Sequence, residues 1–93
     1  MDWQEALSDA IGYIGQETLE YAVEMMTDAS EDDDSLHQTW IRAFDEALSQ
    51  CRAGNKVVLS VVNRFTVQAG TLPCAQRLIE ELQQLYLREY QTR

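Results

Sequence analysis

The chain has 93 residues, 45% of them apolar and 25% charged, and a formal net charge of −9. That length fits one domain, 1–93, with a core near the lower end of comfortable stability. The apolar fraction excludes wholesale disorder, and the uninterrupted apolar stretches fall far short of the ~20 residues that span a bilayer. The start "MDWQE" has no basic region of a secretory signal, so a cytoplasmic protein is expected.

The charge is unevenly placed. Residues 1–41 contain eleven Asp or Glu and no Lys or Arg, whereas residues 42–93 contain seven Lys or Arg against five acids. The first part repels polyanions, which argues against direct binding of nucleic acid and against docking on an anionic membrane.

Hydrophobic spacing reads as helix nearly throughout, so the expected fold is all-α, a compact bundle of about four helices at 3–28, 35–53, 55–69 and 73–91. In the first, Trp3, Leu7, Ile11 and Ile14 form a stripe that Tyr21, Ala22, Met25 and Met26 resume. Gly12 and Gly15 interrupt it, each at a cost of about 1 kcal/mol relative to Ala. The spacing favours one long helix, weakened there.

The second helix opens on "SLHQ", where Ser35 as N-cap and Gln38 three residues on match a capping box. Leu36, Trp40, Ala43, Phe44, Ala47, Leu48 and Cys51 hold one face, and Gly54 suits the C-terminal stop.

The third stretch, "NKVVLSVVNRFTVQAG", is ambiguous. Its β-branched content suits a strand over 57–67, paired between two copies of the chain. As a helix it starts at Asn55, stops at Gly70 and carries apolar residues around most of its circumference: Val57, Val58, Leu59, Val61, Val62, Phe65 and Val67. The helix is preferred, since no other segment offers a strand partner. A helix apolar on all sides must be buried on more than one. That predicts a homodimer, with Leu59, Val61, Val62, Leu85 and Leu87 at the interface. The fourth helix follows Pro73 and carries the stripe Ala75, Leu78, Ile79, Leu82, Leu85, Tyr86 and Tyr90, with Leu87 off it.

No motif carries catalytic chemistry. His37 is the one histidine and falls in a first helical turn, where a terminal polar residue accounts for it. Cys51 and Cys74 are 23 positions apart and read as two small buried apolar residues rather than a disulfide or a zinc set. There is no phosphate loop and no calcium-loop spacing. No enzyme activity, cofactor or metal is expected.

The acidic residues remain. On one continuous helix, Asp2, Glu5, Asp9, Glu17, Glu20, Glu24 and Asp28 fall within about 140° of one another. Glu17, Glu20, Glu24 and Asp28 make a row about 16 Å long, and Glu31, Asp32, Asp33 and Asp34 extend it. Like charges at i, i+4 cost a helix about 0.2–0.5 kcal/mol per pair. A helix shaped for solubility alone would alternate Glu with Lys. The row is sparser than a DNA strand, with one charge per ~3.4 Å, but has its sign and linear form.

Inhibitors that mimic nucleic acid share that charge pattern. The favoured expectation is therefore a non-catalytic protein whose acidic residues, Glu17 to Asp34, occupy a basic, nucleic-acid-binding site on a partner and inhibit it, in the manner of an anti-CRISPR or anti-restriction factor. The alternative is a small dimeric helical adaptor, a secretion-type chaperone or a regulatory connector, binding through apolar helices.

Overall fold

The computed structural model describes residues 2–15, 18–64 and 69–93, which form five helices and no strand. These are α1 (Trp3–Gly12), α2 (Leu19–Ser30), α3 (Asp34–Arg52), α4 (Val57–Val62) and α5 (Leu72–Thr92). Four of them begin alike. Asp2, Thr18, Asp33 and Thr71 each accept a hydrogen bond from the backbone N–H three residues on, at 2.8, 3.2, 3.1 and 3.4 Å. Each such cap satisfies one of the N–H groups that a first turn leaves orphaned. The cap of α3 is thus Asp33 and not Ser35, because an ionised carboxylate two residues earlier serves the positive end of the helix dipole better than a hydroxyl.

The single helix expected over 3–28 is two helices. α1 ends in a tight turn, with the N–H groups of Tyr13 and Ile14 donating three residues back, and Gly15 then takes φ +50°. Glycine reaches that left-handed region without steric cost, so the pair read as a weakness is a stop. The two halves have different partners: α1 packs on α3 and α4, while α2 packs on α5 and α3. An unbroken 26-residue helix would be about 38 Å long, beyond the molecule's longest extent of 34 Å.

The break also resets the helical phase. In α2 the inward residues are Ala22, Val23, Met26, Thr27 and Ser30. Tyr21 and Met25, expected on the inward stripe, stand outward at 47% and 37% exposure.

α4 is six residues long, not the fifteen expected over 55–69. Lys56 caps it without a side-chain bond, and Asn55 Oδ1 accepts the N–H of Val57 at 3.0 Å. Past its end, Asn63 bonds both backbone groups of Ala69, at 2.9 and 2.7 Å. The expectations for Phe65 and Val67 lie outside the described residues. The strand reading gives way to helix over 57–62.

Val58, Val61 and Val62 are wholly buried by α1, α3 and α5 of the same chain. So short a helix can be surrounded on one side by three others, while Val57 stays exposed. Val61 and Val62, expected between two copies, are core residues of one; Leu59, Leu85 and Leu87 are half-buried. The core centres on Trp40, Phe44 and Tyr86. Tyr86 meets the other two rings edge to face, with centroids at 5.8 and 6.3 Å, an arrangement aromatic quadrupoles favour. Among the described residues no helix is long and apolar enough to cross a membrane.

Candidate acidic interface

α2 carries the acidic row outward. Glu20, Glu24 and Asp28 follow at intervals of four, each about 40° round from the last, and all three are exposed. Glu31, Asp32, Asp33 and Asp34 continue it through the turn into α3, all exposed. Glu17 lies outside the described residues. Two acids at α1 are engaged within the chain. Asp2 is spent on a helix cap, and Asp9 accepts the indole N–H of the fully buried Trp40 at 3.2 Å.

The seven described acids are not equivalent. Asp33 is engaged as the cap of α3. Asp28 and Glu31 both accept from Arg93, the latter at 3.2 Å, and Glu89 holds the same guanidinium at 3.2 Å. The hydrogen bond to Asp28, ahead of those to Glu31 and Glu89, raises the Arg93 pKa further above its already high value. Among the described residues every ion pair runs to Arg93, so Glu20, Glu24 and Asp32 meet no cation. A shallow pocket of ≈ 370 Å³ opens beside it, lined by Glu31, Asp32, Tyr90 and Arg93.

At the same end of α2 lies a buried polar cluster. The Tyr86 hydroxyl lies 2.8 Å from Ser30 Oγ and 2.6 Å from His37 Nδ1. His37 stacks on Tyr90 with centroids 3.7 Å apart and planes 9° from parallel. It is only 9% exposed. His37 is therefore an interior residue and not a solvated helix-end side chain. Its first-turn position hid this, because the covering rings come from α5. Burial raises the Tyr86 pKa, and the Ser30 hydrogen bond partly offsets that.

Both cysteines are free, but only Cys51 is buried, and desolvation there raises its pKa. Cys74 is exposed in the first turn of α5, against expectation, because Pro73 and Cys74 lie off the inward face that begins at Ala75. Among the described residues no three His, Cys, Asp or Glu converge as a metal-binding group.

Sequence reading missed Tyr21, Met25 and Arg93 as parts of this surface. The first two become legible once Thr18 is taken as a helix start, which shifts the phase of everything after it. Arg93 gives no local signal, since its partners Asp28 and Glu31 are more than sixty residues away. No protein-family model matches the chain, and neither does any curated protein or solved structure.

Proposed function

We propose that the protein is a non-catalytic binding protein whose α2 surface occupies a basic site on a partner protein. The partner's site is one that otherwise holds nucleic acid, and occupation inhibits it, as an anti-CRISPR or anti-restriction factor would. The observation that carries this reading is the outward row Glu20, Glu24 and Asp28, continued by Glu31 and Asp32, to which Arg93 alone among the described cations responds. Repulsion along such a row costs stability without any gain in packing. A basic groove would convert that cost into attraction and speed encounter.

The test is binding of a Glu20→Gln, Glu24→Gln, Asp28→Asn variant to the partner. The side chains are exposed, and unchanged thermal unfolding will show that the variant keeps its fold. Its affinity should fall at least tenfold at low salt, and the wild-type association rate should drop steeply as salt rises. Equal affinities for the two proteins would end the proposal.

A further inference from the structure

The acidic row borders an apolar strip. In α2 the side chains of Tyr21, Met25 and Ala29 follow at intervals of four, and all are exposed. Tyr21 and Met25 are two of the three large apolar residues that the described chain leaves exposed; the third, Val57, stands alone at the start of α4. At about 100° per residue, the strip begins about 20° round from Asp28 and runs beside Glu20, Glu24 and Asp28 for the length of the helix. The opposite side of α2 is packed on α5 and α3. Nothing in the chain's own fold requires Tyr21 and Met25 to be apolar.

We infer that this face docks a cationic amphipathic segment of the partner, apolar side chains lying on Tyr21 and Met25 and Lys or Arg side chains meeting Glu20, Glu24 and Asp28. The inference rests on the proposed function and adds what its basic site must look like. Charge complementarity selects the occupant: an apolar strip flanked by carboxylates, of which Glu20 and Glu24 meet no cation among the described residues, rejects an acidic or anionic surface. A second copy of this chain is rejected on the same ground, because it would bring two such rows together.

The side-chain types suit the role. Tyrosine supplies large contact area at small entropy cost and takes a cation over its ring face. Methionine adapts its shape to an irregular apolar partner. A surface of bare carboxylates would bind any polycation alike. The strip makes binding depend on the order of the partner's residues as well as their charge.

The experiment uses two 16-residue peptides of identical Lys and Leu composition, one patterned as an amphipathic helix and the other scrambled. Both are titrated against the intact protein, a Tyr21→Ser, Met25→Ser variant and the Glu20→Gln, Glu24→Gln, Asp28→Asn variant. The patterned peptide should bind wild type at least tenfold more tightly than the scramble. The serine variant should lose that preference while retaining weak, salt-sensitive binding of both peptides, and unchanged thermal unfolding will show that its fold is intact. Equal binding of the two peptides by wild type, or a preference that survives in the serine variant, overturns the docking face and leaves the charge-based proposal standing. Full binding by the charge variant removes both.

Discussion

Nδ1 of His37 and the hydroxyl of Tyr86 lie 2.6 Å apart in the interior, joined across 49 positions of the chain. The same hydroxyl reaches Ser30, so one oxygen of α5 ties the end of α2 to the start of α3. Tyr86→Phe keeps the ring in the core but leaves Ser30 and His37 without that partner. A buried polar group left unsatisfied costs about 1–3 kcal/mol. The variant should lose that much in urea unfolding, while Tyr90→Phe, which preserves the stack on His37, should change stability by under about 0.5 kcal/mol.

The same hydroxyl gives an alkaline prediction. Burial raises the Tyr86 pKa above its ordinary value of 10.0. Above pH ~10 the unfolded chain releases a proton that the folded chain keeps, so stability falls with rising pH until the folded pKa is passed. Tyr86→Phe should flatten this part of the stability curve. Thermal unfolding from pH 9 to 11 measures it, and identical slopes in the two proteins would contradict the assignment.

The start of α3 separates two neighbouring side chains. Asp33 accepts the N–H of Leu36, whereas Ser35 already lies within the helix. Asp33→Ala should cost about 0.5–2 kcal/mol, the usual loss for a cap, and Ser35→Ala close to nothing. Chemical denaturation of the two variants decides between them.

Two glycines with open surroundings make a matched pair. Gly54 has φ +79°, and Gly70 lacks a positive φ; a Cβ at either meets nothing within 4 Å. Gly54→Ala should therefore destabilise by about 1 kcal/mol through backbone strain alone, and Gly70→Ala should be neutral or stabilise by up to about 1 kcal/mol.

Much of the fold could be read from spacing. The stripes of α3 and α5 have long, regular periods, and their inward residues, from Trp40 to Cys51 and from Ala75 to Tyr86, are those the pattern named. The break at Gly15 was harder to read, because apolar residues continue on both sides and the decision depends on α1 and α2 having different partners. α4 misled for a related reason. The apolar Val58, Val61 and Val62 are a true signal of burial, but the sequence does not say whether the cover is the same chain or another. The exposed acids Glu20 to Asp34 were legible as a surface, while the Arg93 contact and the outward turn of Tyr21 and Met25 depend on tertiary packing.

Competition at the partner tests the central claim most directly. Protein retained by the immobilised chain from an extract of its own cells is challenged with an oligonucleotide, beside a column of the Glu20→Gln, Glu24→Gln, Asp28→Asn variant. The account predicts a retained partner that binds nucleic acid, is released by the oligonucleotide, and is not held by the variant. A partner held equally by both columns, and undisturbed by oligonucleotide or salt, would contradict it.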